Sequence, residues 1–435
     1  MTQIGAIRFQ FSDRAMPVFK KSWFVPIFLF FLPFTLLIEF DLVGRLFLAD
    51  IIAIAAFPFI VMFRRRSFDQ RTRRALILLI AWLSAQILTD FIRGTPVYDL
   101  ARGWSKLGIT FIYFFIFSVL LVDQPSRARA LLAGVGGTML LGAIIAYAPG
   151  NPLMLWKMGG VTGLMLFLLA LAAGASRYRL ASIILIAGAL LALYYNSRSS
   201  ALLCFTSAFF LIGAIFFSGQ RRKHGRLRKV SLRTFLLLMV GGCIAILAVF
   251  ELYSFVVQSG WLGQDALNKF MVQRGDRGPI GLLVCGRAEL IASLQAIADS
   301  PIWGHGSWAR DMSYRFGINQ QLAAYGCPWS ENVILQDDII PSHSILFGAW
   351  VEAGIMGALF WVFVAYLVIQ FLGLVWRNHS VLAPLLVFVA VILIWDILFS
   401  PFGASRRLTM MAMAAALLQA VRLYGTSPIF KRYFS

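Results

Sequence analysis

Long uninterrupted apolar runs recur along the chain and constrain its fold more than any single motif. A transmembrane helix needs about 20 mostly apolar residues, and the sequence contains twelve candidate spans. They lie at residues 23–40, 42–63, 75–92, 107–122, 129–148, 153–174, 180–196, 200–218, 234–257, 342–374, 381–399 and 408–424. Because apolar residues are continuous in these runs, each span is predicted to be a helix and not a barrel strand. The predicted fold class is an all-α polytopic membrane protein with about 12 transmembrane helices.

Composition and charge give the class and the orientation. Hydrophobic residues make up 60 % of the chain and charged residues 13 %, which excludes a soluble globular protein. The net charge of +20 comes largely from short basic clusters in every second loop. These are Arg64–Arg74, Arg127 with Arg129, Arg177 with Arg179, Arg221–Arg233, Arg377 and the C-terminal tail. The positive-inside rule places these loops and both termini in the cytoplasm. Because these lysines and arginines form short clusters next to the membrane and not one patch on a folded domain, anionic membrane lipids are the predicted partners and nucleic acid is not.

One long interval, residues 258–341, is too polar for the bilayer and separates spans 9 and 10. The same topology puts it on the outer side, and the simplest setting is the periplasmic face of a bacterial inner membrane. Apolar residues at helical spacing from Ala288 to Ala298, ended by Ser300-Pro301, predict a large helical loop over the membrane. The predicted domains are residues 1–257 (spans 1–9), the loop 258–341, and residues 342–435 (spans 10–12).

Two arginines are candidate phosphate ligands. Arg198 stands between two spans on the outer side, against the positive-inside rule, and Arg287 opens the amphipathic helix of the loop. A guanidinium group presents five donors in a planar fork that fits phosphate oxygens. The sequence leaves alternatives open, because Arg198 can instead snorkel to lipid headgroups and Arg287 can be an exposed helix arginine.

His343 and Glu352 are candidates for acid–base chemistry at the end of the loop. His343 lies where the chain re-enters the membrane, and imidazole, with an ordinary pKa of about 6.5, can take a proton from a hydroxyl. Glu352 lies inside span 10, where an ionisable group is costly and so indicates function. A hydrogen-bonded structural histidine and a hydrated interfacial glutamate remain the alternatives. No Cys or His stands at metal-ligand spacing from His305 or His343, and no Walker A sequence is present, so neither metal nor ATP is predicted.

The cysteines and the remaining acids of the spans allow simpler predictions. Cys285 and Cys327 lie in the loop on the oxidising side, so a disulfide between them is an open alternative, whereas Cys204 and Cys243 read as small apolar residues. Asp50, Glu251 and Asp396 have no predicted role beyond pairing with an arginine such as Arg45 or Arg407.

Several short motifs occur together on the predicted outer side. They are Asn-Ser-Arg-Ser at 196–199, Arg287 with Leu294 and the turn from Pro301 to Gly306, and Pro-Ser-His-Ser at 341–344 followed by Glu352-Ala353-Gly354-Ile355-Met356-Gly357. In this order, the stretch from about Tyr195 to Trp361 resembles the O-antigen ligase superfamily, which also includes lipopolysaccharide and exopolysaccharide polymerases. The chain departs from that family at Ser344, where the family often has an asparagine after the histidine.

The resemblance implies a metal-independent, inverting glycosyltransferase that needs no cofactor. Such an enzyme moves a glycan from undecaprenyl pyrophosphate to an acceptor hydroxyl in the periplasm: lipid A-core for an O-antigen ligase, another carrier-linked glycan for a polymerase. Arg198 and Arg287 are then expected to bind the pyrophosphate, and His343 to be the base, with Glu352 and Ser197 in support. A flippase or secondary transporter is the alternative from another class, but it would place charges at mid-membrane.

Overall fold

The computed structural model describes residues 23–42, 44–63, 68–147, 152–173, 178–224, 251–264, 267–268, 270–271, 289–324, 338–375 and 380–426. Most of these residues are helical, and the chain is a membrane protein. Within the described ranges, five helices are long and apolar enough to cross a bilayer: Gln70–Arg93, Val97–Leu120, Pro125–Tyr147, Arg198–Ile215 and Ile345–Val375. Shorter apolar helices are Phe24–Leu37, Leu48–Phe63, Trp156–Ala172, Tyr178–Tyr194 and Ala383–Phe399.

We number the α-helices in chain order. They are α1 Phe24–Phe31, α2 Leu48–Phe63, α3 Gln70–Arg93, α4 Val97–Leu120, α5 Pro125–Tyr147, α6 Pro152–Leu155, α7 Val161–Ala172, α8 Tyr178–Tyr194, α9 Arg198–His224, α10 Glu289–Asp299, α11 Met312–Ala324, α12 Ile345–Val375, α13 Ala383–Phe399 and α14 Arg406–Thr426. A 3-10 helix, Leu32–Leu37, extends α1. The segment Trp156–Gly160 joins α6 to α7 through a kink, where Met158 and Gly159 are non-helical. Every predicted span outside 234–257 contains a helix, and residues 251–257 of that span are helical.

A β-hairpin corrects the all-α prediction. Strands β1 Glu39–Leu42 and β2 Gly44–Phe47 pair antiparallel, with Asp41 opposite Arg45 and Leu42 opposite Gly44. Polar Glu39 and Asp41 alternate here with Phe40 and Leu42, the period of a strand and not of a helix. The polar break at Asp41 is therefore a hairpin that separates two short apolar helices.

Helix α4 begins ten residues before the predicted span at 107. The first turns carry Asp99, Arg102 and Lys106, which made this segment look too polar for a span. Each of these side chains has a charged partner: Arg102 Nη1 lies 3.6 Å from Asp99 Oδ1, and Lys106 forms an ion pair with Glu352. A local pair within α4 and a tertiary pair with α12 therefore lower the cost of the charges, and the helix continues through them.

A buried ion pair links α2 to α14, the last helix of the bundle. Arg407 Nη2 donates to Asp50 Oδ2 at 2.7 Å and to the Arg45 carbonyl at 3.0 Å. Asp50 also accepts from Tyr113 Oη at 2.8 Å and from the Phe47 backbone N–H at 2.9 Å. Asp50 is 0 % and Arg407 4 % exposed, so Asp50 pairs with one of the two arginines that the sequence offered for the acids of the spans. Asp396 pairs with the neighbouring arginine, Arg406, at 2.7 Å.

Candidate functional site

His343 immediately precedes the first turn of α12. Ser344 caps this helix, because its Oγ accepts from the Phe347 N–H at 3.2 Å. The same hydroxyl donates to the Ile397 carbonyl at 2.8 Å, near the end of α13. Ser344 is the position at which the chain departs from the family that it resembles. Its hydroxyl anchors the start of α12 to α13. The His343 side chain is 43 % exposed.

Glu289 is the charged partner of His343. Its Oε1 lies 3.5 Å from His343 Nδ1. Helix α10, which starts at Glu289, lies along the segment before His343, because Ser293 Oγ donates to the Pro341 carbonyl at 2.9 Å. A carboxylate at Nδ1 can hold one orientation of the ring and leave Nε2 for a second partner, and it stabilises an imidazolium that forms during reaction. Sequence analysis assigned Glu289 no role, although it stands two residues after Arg287.

Arg198 is the first residue of α9, at a tight turn between two helices. Asn196 has a left-handed backbone (φ 55°), and the Ser197 N–H donates to the Ala192 carbonyl at 2.7 Å. The Arg198 guanidinium lies over the Tyr253 ring, 5.1 Å from its centroid. Tyr253 Oη in turn donates to Asn196 Oδ1 at 3.1 Å. The turn and the aromatic ring thus hold Arg198 at a helix N-terminus, which also attracts anions.

Ser197 has a structural place in this turn. It is 2 % exposed, its carbonyl accepts from the Ala201 N–H at 3.0 Å, and its Oγ donates to Ser200 Oγ at 2.9 Å. Ser200 Oγ also lies 3.2 Å from Thr162 Oγ1 of α7. The supporting role predicted for Ser197 is thus consistent with a residue that shapes the turn before Arg198.

The predicted residues are brought together only in part. No hydrogen bond, ion pair or ring contact in the described part of the chain joins Arg198 to His343. Arg287 lies outside the described residues, as do Cys285, Cys327 and Cys243, so the pyrophosphate role of Arg287 and the disulfide stay predictions. Cys204 is buried with a free thiol, as expected of a small apolar residue.

Glu352 lies at a break in α12, two helical turns beyond the start of the helix. Ala353 (φ −124°, ψ 18°) and Gly354 (φ 62°, ψ −161°) are non-helical, and the second conformation is essentially restricted to glycine. The Glu352 carboxylate pairs with Lys106 of α4, both side chains being mostly buried. Glu352 therefore ties α12 to α4 and has no contact with His343 among the described residues.

Residues 300–307, which we call the docking turn, fill the break in α12. The N–H groups of His305 and Gly306 donate to the Val351 and Glu352 carbonyls at 2.7 and 3.0 Å. The Pro301 carbonyl accepts from the Ile355 N–H at 3.0 Å and from Trp350 Nε1 at 2.8 Å. Backbone groups freed by the break are thus satisfied by the docking turn, as a segment near the membrane requires.

Helix α3 holds the other side of the docking turn. The carboxylate of Asp90, 1 % exposed, accepts from the Ser307 N–H (2.6 Å) and Oγ (2.7 Å), and from Trp104 Nε1 (2.8 Å). Arg93 donates to the Gly304 carbonyl and to Ser300 Oγ at 2.7–3.0 Å. Sequence reasoning missed Asp90 and Arg93; the available signal was an acid and a base near the end of an apolar span.

A charged cluster continues from the docking turn along α4. The Arg102 guanidinium stacks on Trp308, 3.8 Å from the ring centroid. Arg310 bridges Asp99 (3.2 Å) and Asp338 (2.7 Å). An antiparallel bridge between Arg310 and Ile339 joins the two described segments of the loop, 289–324 and 338–341. These contacts fix the loop over α4.

His305 is a structural residue. Its Nε2 lies 2.8 Å from the Ala296 carbonyl, and its ring packs edge-on against Tyr314. Tyr314 Oη donates to Asp299 Oδ2 at 2.7 Å. Burial, and then this hydrogen bond, raise the pKa of Tyr314. His305 therefore differs from His343, whose side chain is 43 % exposed.

The described residues contain no group of three His, Cys, Asp or Glu side chains that could hold a metal ion. Comparison with models of known protein families gave no match, and comparison with curated protein sequences gave none.

Proposed function

We propose that this protein is a membrane glycosyltransferase of the O-antigen ligase type. The observation that carries the proposal is the pair formed by His343 and Glu289 at the start of α12, where a bundle helix meets the loop. In the proposed reaction His343 Nε2 takes the proton of an acceptor hydroxyl. The oxygen attacks the anomeric carbon of the glycan, the bond to undecaprenyl pyrophosphate breaks, and the configuration inverts. Glu289 holds the imidazole and stabilises it as it becomes charged.

The distribution of contacts at the two ends of the bundle supports a periplasmic site. One cleft brings together Arg71 at the start of α3, Asp123 after α4, Gln370 near the end of α12 and Arg422 near the end of α14. Arg71 and Arg422 belong to basic clusters predicted to be cytoplasmic. The docking turn contacts the opposite ends of α3 and α4. His343 at the start of α12 then belongs to the outer side, with both termini in the cytoplasm and about 12 spans in the full chain.

Arg198 and Arg287 are the proposed pyrophosphate ligands. Arg198 begins a helix that packs against α13, and the end of α13 holds Ser344, next to His343. Arg287 stands two residues before Glu289, the partner of His343. Two guanidinium groups can neutralise the charge that develops on the leaving pyrophosphate, with neither metal nor nucleotide.

The test compares purified variants in transfer from a carrier-linked glycan. His343→Ala should lower turnover by about 10²–10⁴-fold while the carrier still binds, and Glu289→Gln should give a smaller loss of the same kind. Arg198→Lys keeps the charge but loses the planar fork, so it should weaken carrier binding. The matched controls are His379→Ala and Arg179→Lys, both in predicted cytoplasmic loops. A correctly inserted His343→Ala protein with full activity would overturn the assignment of the base.

Glycan analysis of a deletion strain identifies the acceptor. For a ligase acting on lipid A-core, bare core accumulates together with long carrier-linked polymer. Single carrier-linked repeats would identify a polymerase instead. Unchanged glycans would reject both enzymes and favour the transporter alternative.

A further inference from the structure

A cleft at the basic end of the bundle, far along α12 from His343, has no place in the proposed reaction. Its volume is about 570 Å³, in the range of small-molecule sites. Three arginines line it: Arg71 and Arg74 on the first turns of α3, and Arg422 on α14. The cleft therefore gathers positive charge from two helices that are distant in sequence.

The acidic side chains of the cleft are engaged with protein groups. Asp69 caps α3, accepting from the Arg71 N–H at 3.2 Å and from the Thr72 hydroxyl. Asp123 pairs with Arg422. In the described part of the chain, the guanidinium groups of Arg71 and Arg74 have no acidic partner, and the start of α3 adds its partial positive charge. An anionic group of about the size of a phosphate suits this wall of the cleft.

The opposite wall of the cleft is partly apolar and suits an amphiphilic ligand. Phe363, Leu367 and Leu423 form an apolar surface there. The Gln370 amide nitrogen donates to Tyr366 Oη, while Gln370 Oε1 is buried without a hydrogen-bond partner among the described residues. A buried acceptor of this kind is costly unless a donor reaches it, and phosphate oxygens cannot supply one. A headgroup that carries hydroxyl hydrogens beside its phosphate would supply that donor.

We propose that this cleft binds a phosphate ester with free hydroxyl groups, supplied by the headgroup of an anionic phospholipid such as phosphatidylglycerol. The phosphate lies against Arg71 and Arg74, a headgroup hydroxyl donates to Gln370 Oε1, and the first acyl carbons contact the apolar wall. Since α12 runs from this cleft to His343, the lipid would fix one end of the helix that carries the base at its other end. Binding itself does not depend on the proposed transferase activity.

The experiment measures lipid retention by native mass spectrometry of the full chain. Protein is mixed with phosphatidylglycerol or, separately, with phosphatidylcholine, and inorganic phosphate and glycerol 3-phosphate are tested alone by thermal shift. We expect retention of phosphatidylglycerol and no shift with either soluble phosphate. Arg71→Gln with Arg74→Gln should weaken retention about 30-fold, because one basic residue near an anionic lipid contributes about fivefold. Gln370→Leu should reduce the preference for a hydroxylated headgroup.

Arg73→Gln is the matched control, because Arg73 lies on the same turn of α3, is exposed and does not line the cleft. It should retain wild-type binding; an equal loss in this variant would mean general surface attraction and overturn the site. A thermal shift with soluble phosphate but no lipid retention would overturn the lipid as the source, and no binding of either would overturn the proposal. If the double variant fails to fold, Arg74→Gln alone should show about a fivefold loss.

Discussion

Replacing Gly354 by alanine should detach the docking turn from α12. A Cβ at this position would lie 1.8 Å from the Ile302 carbonyl oxygen and 2.4 Å from its carbon. Both atoms belong to the backbone, so no side chain can rotate away. The conformation of Gly354 (φ 62°, ψ −161°) would also cost about 1–3 kcal/mol for any other residue.

The loss of stability in Gly354→Ala equals the cost of the less costly of two responses: the docking turn stays in place under strain, or it is released. Holding the docking turn in place would combine the backbone strain with an overlap of more than 1 Å, which exceeds the about 1–3 kcal/mol of ordinary overpacking. Releasing the turn instead gives up its four hydrogen bonds to residues 350–355, at about 1 kcal/mol each. We therefore expect release, with a loss of about 4 kcal/mol in the stability of the loop.

The assay combines thermal unfolding in detergent with limited trypsin digestion. Arg310 follows the docking turn and is held by Asp99 and Asp338, so cleavage after Arg310 should accelerate once the turn is released. Gly373→Ala is the control, since it lies in the same helix and its Cβ would meet nothing within 4 Å. That change should stabilise by about 0.5–1 kcal/mol. Equal melting temperatures and equal protection of Arg310 in the two variants would refute the reasoning.

Three further predictions concern other contacts. Asp90→Asn replaces one carboxylate oxygen by an amide donor that faces the donors of Ser307 or Trp104, so it should lower the free energy of unfolding by about 2 kcal/mol. Thr95→Val removes only one donor to Asp90 and should lower it by about 1 kcal/mol. Arg407→Met leaves Asp50 buried without its cation and should cost about 3–5 kcal/mol; adding Asp50→Asn should recover part of this loss, and a strictly additive double variant would contradict the pairing. The pKa of Tyr314 is raised in the folded loop. The stability that its protonated hydroxyl gives the loop is therefore complete below the ordinary pKa of about 10 and is lost as pH rises above it. Tyr314→Phe should flatten the alkaline part of a plot of the loop's trypsin sensitivity against pH.

The length of the apolar runs was sufficient to locate the helices of the spans, because their length and apolar character follow from the bilayer. The predicted loop helix from Ala288 to Ala298 is confirmed as α10, which ends before Ser300. Apolar runs do not reveal the hairpin at Asp41, because a strand is marked by alternation of polar and apolar residues. The early start of α4 was missed because Asp99, Arg102 and Lys106 count against a span, and the partners of Lys106 and Asp99 from distant segments, Glu352 and Arg310, are not visible in the sequence.

The candidate site was predictable in its residue types but not in its pairings. His343 was singled out by its place at a membrane boundary, yet its partner Glu289 is 54 residues earlier in the chain, and no local pattern connects the two. Glu352 is predicted to support His343, and its partner is instead Lys106, from a segment expected to lie outside a span. Such ion pairs depend on how helices pack, which hydropathy does not specify.

Glu289 is held against His343 by contacts at both ends of α10. Helix α10 begins at Glu289 and leads directly into the docking turn, so its two ends are fixed separately. Ser293 ties the first part of α10 to Pro341, and the docking turn ties its far end to α3 and to the break in α12. The docking turn therefore adds a second attachment to the one that Ser293 makes beside His343. For the proposed transfer reaction, release of the docking turn should lower turnover by weakening the hold on Glu289, and a glutamine at 289 should cost less in the Gly354→Ala variant than in the wild-type protein.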